Sequence, residues 1–122
     1  MPDFEFVTWD FVEESVEKMV ERIRGFRKFS GVYGLPCGGL CLAVMLHHRL
    51  KIPMLNHAAK NSVIVDDIAD SGKSLCHFAE DKTSFITTLY YHKQSLVEPN
   101  LWLKEKTDRW VVFPWENQKD PE

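Results

Sequence analysis

Nothing in this chain runs long and apolar enough to span a membrane, and no segment gathers charge of one sign. A spanning helix needs about 20 consecutive, mostly apolar residues, and charged or polar residues interrupt every run well short of that. The 15 Lys and Arg are scattered among 18 Asp and Glu for a net charge of −3, which leaves no massed basic face for nucleic acid or an anionic bilayer. Neither is expected as a partner. The opening "MPDFEFVTWD" carries acids where a secretory leader carries a basic and then an apolar stretch, so the expected setting is cytoplasmic. Cysteine is scarce and odd in number, at three, which fits a reducing compartment rather than a disulfide framework. Cys37 and Cys41 have no second pair to complete a four-ligand zinc site. His47 and His48 are neighbours that diverge on a helix, which suits a surface or subunit-contact role better than joint metal ligation. A Walker-type phosphate loop is missing as well: "GLPCGGL" lacks the Gly-Lys-Ser/Thr ending and "DSGKS" lacks the earlier Gly. There is no repeat, low-complexity segment or linker.

What the chain has is 122 residues, 44% of them apolar, enough for one domain with one core over residues 1–122. Between Phe11 and Ile23, Val12, Val16, Met19, Val20 and Ile23 recur at helical spacing, with Asp10 and Glu13 placed as a capping pair. Phe29 to Leu35 has the composition of a short strand, "GLPCGG" forces a turn, and Leu40 to Leu50 reads as a helix packed on a sheet. Pro53 to Leu55 is a brief strand candidate, Ser84 to Tyr91 a longer one, and the tail holds Leu101-Trp-Leu103 and Trp110-Val-Val-Phe113. Alternating strands and helices predict an α/β fold, an open and mainly parallel sheet flanked by helices.

The most informative stretch is "VIVDDIADSGKSL", Val63 to Leu75. Its start has no polar alternation, as in a strand buried on both faces of a parallel sheet. Asp66 and Asp67 then end the strand, "DSG" turns, and "KSLCHFAEDK" reads as a short helix. Ligands of open α/β sheets bind beyond the carboxyl ends of the strands, the edge where both "GLPCGG" and "DDIADSGKS" fall. Ionised carboxylates accept hydrogen bonds from paired sugar hydroxyls or hold Mg²⁺ through its waters. The amides of Asp70 to Ser74, with the Ser71 and Ser74 hydroxyls, suit a phosphate. A sugar phosphate satisfies both halves. Two other readings compete: a phosphoacceptor receiver domain, whose acid pair would sit on the first strand, and plain strand-end acids followed by a helix cap.

These residues resemble the phosphoribosyl-pyrophosphate signature of type I phosphoribosyltransferases, a strand with two acids followed by Asp, hydroxyl, Gly, any residue, hydroxyl. "VYGLPCGGLCLAVMLHHRLKIPML" resembles the family's pyrophosphate loop and following helix, and "FVTWDFVEESVEKMVERI" the opening helix of its purine members. "DRWVVFPWE" resembles the ending of the xanthine-guanine and hypoxanthine branch. The resemblance implies a phosphoribosyltransferase-like sheet with a reduced flap and a small hood. It implies transfer of the phosphoribosyl group from phosphoribosyl pyrophosphate to a purine, with a preference for a 6-oxopurine, in nucleotide salvage, with Mg²⁺ as cofactor and a homodimer as assembly. Asp66 and Asp67 would contact the ribose hydroxyls and hold the metal through water. Asp70 would be the catalytic acid/base at the purine N7, and Asp70, Ser71, Gly72, Lys73 and Ser74 would hold the 5′-phosphate. Pro36, Cys37, Gly38 and Gly39 would form the pyrophosphate loop, with the Pro36–Cys37 peptide the one the family often holds cis. Trp110 would stack on the base, the Val111 backbone would read its edge, and Lys93, rather than the adjacent His92, would read its 6-oxo group. A core aromatic is the competing reading of Trp110, because Trp is highly buried on average. The sequence departs from the pattern at Cys37, where relatives carry Arg or Lys, at Ala69, and in the few residues, Asn56 to Asn61, that stand in place of a long flap. A non-catalytic phosphoribosyl-pyrophosphate or nucleotide sensor is the alternative.

Overall fold

Thr8 starts the first helix, not the expected Asp10 and Glu13 pair: its side chain accepts from the Phe11 N–H at 3.1 Å, satisfying one of the orphan donors of the first turn. The computed structural model describes residues 3–116. In chain order the elements are β1 (Phe4–Phe6), α1 (Trp9–Phe26), β2 (Val32–Gly34), α2 (Leu40–Leu50), β3 (Val63–Ala69), β4 (Phe85–Tyr91), β5 (Leu101–Glu105) and β6 (Trp110–Val112). The strand expected from Phe29 shrinks to β2, and Pro53 to Leu55 contributes a single bridge, Met54 to Val32.

The main sheet runs β2-β3-β4-β5 with every neighbouring pair parallel. Val63 lies between Val32 and Phe85, which fixes the register of β2, β3 and β4. Both faces of β3 are covered, as its unbroken apolar run predicts. Val63 and Val65 join the larger core with Val12, Val16 and Met19 of α1 and Leu42 and Leu46 of α2. Ile64 joins a second cluster with Leu35, Leu75, Ile86 and Val97. Each such fully buried aliphatic side chain contributes about 1.5–3 kcal/mol of transfer free energy before the entropy of ordering it.

The second cluster explains a departure from expectation. No α-helix follows "DSG": residues 73–77 form turns, and only Phe78–Glu80 make a short 3₁₀ turn. Leu75 is pinned into the apolar cluster while Cys76 and His77, between it and the Phe78 turn, stay exposed, so the segment is organised by one buried leucine rather than by a helical face. Outside the main sheet, β1 pairs in parallel with β6, with Phe4 opposite Trp110, Glu5 opposite Val111 and Phe6 opposite Val112. This two-stranded sheet is the small hood. Only residues 55–62 connect the Met54 bridge to β3, so the flap is reduced as expected.

Candidate active site

The loops that leave β2, β3 and β4 converge at the carboxyl edge of the main sheet. Leu35 N–H donates to Val65 O at 3.0 Å and Gly39 N–H to Leu35 O at 2.8 Å, which folds the loop after β2 down onto β3. The approach is so close that a Cβ on Gly38 would lie 2.2 Å from Asp67 Oδ2, and one on Gly39 2.2 Å from Val65 O. The glycines are there because backbone and carboxylate occupy the space a side chain would need. Pro36–Cys37 is a cis peptide. Among the described residues the N–H groups of Cys37 and Gly38 have no protein acceptor.

Asp66 and Asp67 lie inside β3 rather than at its end, since pairing with β4 continues to Ala69 opposite Tyr91. Both are half-buried, and Asp67 N–H donates to Asp66 Oδ1 at 2.9 Å. Burial, and then the Asp67 charge beside it, pushes the Asp66 carboxyl up to about 8. Burial also pushes Asp67 up, with Glu116 adding to it, against the opposing hydrogen bonds from Asp66 and the Ile68 backbone. No salt bridge reaches either acid among the described residues. Two desolvated carboxylates held together without a counter-cation are what a cationic or hydroxyl-rich ligand would relieve.

Beyond the acids, Asp70, Ser71, Lys73 and Ser74 are exposed, while Gly72 is buried at φ 81°. A side chain at Gly72 would strike Ser95 Oγ at 2.5 Å and Leu96 N at 2.6 Å, and Leu96 N–H donates to Ser71 O at 2.9 Å. The loop after β4 is thereby seated on the loop after β3. Ser71 Oγ accepts from Lys73 N–H at 3.3 Å, whereas the N–H groups of Ser71, Gly72 and Ser74 have no protein acceptor among the described residues. His92 is used to close its own turn, donating through its N–H to Ala69 O at 2.9 Å and taking the Gln94 N–H on Nδ1 at 3.2 Å. Lys93 is exposed and reaches Glu105 at 3.5 Å.

The hood stands over the same edge. Glu5 of β1 accepts from Tyr90 Oη at 2.6 Å and from Lys104 Nζ at 2.7 Å, near the carboxyl ends of β4 and β5. Trp110 is 61% exposed and so is not a core aromatic, while Val111 is buried. The structure therefore sets Gly38 against Asp67, leaves the Asp70–Ser74 loop and Lys93 on the loops after β3 and β4 at the same end of the sheet, and holds Trp110 and Val111 on the hood. Sequence reasoning missed the Glu5, Tyr90 and Lys104 cluster. Its one signal is the "FEF" of β1, an acid between two aromatics.

The sequence matches no model of a protein family. Among solved structures the chain is similar to the purine phosphoribosyltransferase of Pyrococcus horikoshii Ot3, with a TM-score of 0.85 and 28% identity over 98% of this chain and 99% of that one. It is also similar to the Helicobacter pylori xanthine-guanine-hypoxanthine phosphoribosyltransferase (TM-score 0.79, 16% identity, 93% and 94% of the two chains). A Neisseria gonorrhoeae protein with bound ppGpp follows (TM-score 0.70, 18% identity, 95% and 90%). At those lower identities the last two speak to the fold alone. Near-complete mutual coverage with the Pyrococcus protein means that the two chains are almost equal in length. With the signature in β3 and its loop, the loop after β2 and the hood all present, the chain has the type I phosphoribosyltransferase fold, is similar to the family's purine branch, and is an enzyme of the phosphoribosyltransferase type.

Proposed function

We propose that this one-domain protein transfers the phosphoribosyl group of phosphoribosyl pyrophosphate to a 6-oxopurine, giving a nucleoside monophosphate and pyrophosphate, as a cytoplasmic homodimer in nucleotide salvage. The observation that carries the reading is the meeting of three binding elements at one sheet edge: paired acids, free loop amides and an exposed Trp. Asp66 and Asp67 take the ribose hydroxyls. The free amides of Ser71, Gly72 and Ser74, with the Ser71 and Ser74 hydroxyls and Lys73, take the 5′-phosphate. The amides of Cys37 and Gly38, flanked by Pro36 and Gly39, face the pyrophosphate; Cys37 offers no charge there, so the backbone carries that contact. Trp110 stacks on the base, Val111 reads its edge through the backbone, and Lys93 reads the 6-oxo oxygen. Exposed Leu40 and Val44 on α2, with Met54, support a subunit contact on that side.

Asp66 and Asp67 fit Mg²⁺ held through water, because among the described residues they are half-buried acids without a protein cation, and no group of three or more His, Cys, Asp or Glu there forms a cage of its own. Bound there, Mg²⁺ would neutralise charge on the leaving pyrophosphate. The protein's own share of the chemistry is positional and electrostatic. A purine nitrogen attacks C1′ as pyrophosphate leaves, while the anchored phosphate and stacked base keep the three centres in line. Asp70, exposed and without a protein partner among the described residues, takes or gives the proton at N7.

Purified protein incubated with phosphoribosyl pyrophosphate, Mg²⁺ and separate bases (xanthine, guanine, hypoxanthine, adenine, uracil, orotate) is expected to form nucleotide with a 6-oxopurine, followed by chromatography. Folded protein that forms none with any base would return the weight to the sensor. Asp70→Asn is expected to lower kcat by about 10²–10⁴-fold, and full turnover with an unchanged pH profile would remove its role. Trp110→Ala is expected to weaken base binding by about tenfold, and an unchanged KM for the base would sink the stacking assignment.

A further inference from the structure

The hood strand β1 is built inside out. In "FEF" the acid is buried, at 8% exposure, while Phe6 beside it is 66% exposed. A strand covering a core buries its aromatics and exposes its acid, so this reversal needs a cause. The cause is the pair of donors waiting for the carboxylate: Tyr90 of β4 and Lys104 of β5 are direct cross-strand partners, and both donate to the same Glu5 oxygen, Oε2. These are the only side-chain hydrogen bonds joining the hood to the main sheet among the described residues. On the hood side, Glu5 is opposite Val111, and Arg109 Nη2 donates to Phe4 O at 2.6 Å, so the carboxylate is rigidly coupled to the strand bearing Trp110. On the sheet side, Tyr90 stands three residues before Lys93, its ring packed edge-on against Phe113 and tilted against Phe11. One buried carboxylate thus ties together the two halves of the base site, the stacking strand and the loop that reads the 6-oxo edge.

We infer that Glu5 is a positioning residue for purine recognition, holding Trp110 and Val111 at a set distance from the loop after β4 through Tyr90 and Lys104. The inference rests on the base-site reading above. Removing the carboxylate leaves the Asp66, Asp67 and Ser71–Ser74 contacts to the sugar phosphate untouched, so the loss is confined to the base. The test is calorimetric binding of inosine monophosphate and of ribose 5-phosphate to wild type, Glu5→Gln and Glu5→Ala, at a temperature where melting curves show each protein folded. Nucleotide affinity is expected to fall about tenfold in Glu5→Ala and less in Glu5→Gln, which keeps an acceptor for Tyr90, with ribose 5-phosphate affinity within about twofold of wild type. Equal losses for both ligands, or none, overturn the positioning role and leave the transferase reading standing. Wild type that binds ribose 5-phosphate but gains nothing from the base, or binds neither, overturns both. Should Glu5→Ala fail to fold, Glu5→Gln and Tyr90→Phe carry the same comparison, each altering one partner of the bond.

Discussion

Asp66→Asn is expected to raise the melting temperature of the ligand-free protein while cutting phosphoribosyl transfer by about a hundredfold or more. The two effects share one origin. Asp66 is half-buried beside Asp67 with no cation paired to it among the described residues, and the amide keeps the acceptor that receives Asp67 N–H while removing the charge. An unfolded Asp titrates near 3.9, whereas burial and the Asp67 charge push the folded carboxyl up to about 8. Between those limits the folded protein retains a proton that the unfolded chain has given up, so stability falls as pH rises and is lost progressively through the folded value. The stabilising effect of Asn is therefore small at pH 5 and larger at pH 8, where roughly 5 °C or more in Tm is expected. Melting curves at the two pH values decide it. A variant less stable than wild type at pH 8, or a gap that does not widen with pH, would show that the charge is not held at a cost. Ligand binding should draw on the same reservoir: phosphoribosyl pyrophosphate with Mg²⁺ is expected to release protons near pH 7, a stability sacrificed for binding.

Gly38→Ala and Gly39→Ala, adjacent and chemically identical changes, are expected to fail in different ways. At Gly38 the added methyl would meet Asp67 Oδ2 at 2.2 Å and Cγ at 2.4 Å, atoms of a side chain that can rotate only by abandoning its place. Transfer should drop by about a hundredfold or more with Tm changed by only a few degrees. At Gly39 the methyl would meet Val65 O at 2.2 Å and Leu35 N at 2.7 Å, which are backbone atoms of the sheet and of the loop itself. Its φ of −84° suits any residue, so space alone is the obstacle. Separating the loop from β3 breaks the Leu35 to Val65 bond, and a loss of about 3 kcal/mol or more is expected, roughly 10 °C in Tm. An active, stable Gly38→Ala would mean that Asp67 has a second rotamer compatible with function.

How far the sequence could be read depends on where each signal lives. The acid pair and the "DSGKS" turn were legible because strand composition and turn chemistry are local, and the unbroken "VIV" announced burial on both faces. The helix after that turn was not there to be read: Leu75 anchors the segment to Ile64 and Ile86 from across the sheet, a long-range contact that overrides a modest helical pattern. Thr8 was overlooked as the cap because Asp10 and Glu13 have the right spacing, and only backbone angles separate the two choices. Trp110 could equally have been core or platform by composition, and its exposure follows from pairing with Phe4, a strand that three residues of "FEF" hardly announce. Glu5 was invisible for the same reason. Its donors lie in strands far along the chain, so nothing near it marks it as buried.

The pairing of β1 with β6 joins the first described strand to the last. Such a contact closes the longest loop the fold contains, and closure of long loops comes late. During synthesis β1 emerges before β6 and waits for it while β2, β3 and β4 pair in turn. The residues proposed to hold the sugar phosphate, carried on consecutive strands, are thus assembled before the hood strand that bears Trp110 and Val111. On the proposed function, a nascent or locally opened molecule would grip ribose and phosphate before the hood is in place to hold a base.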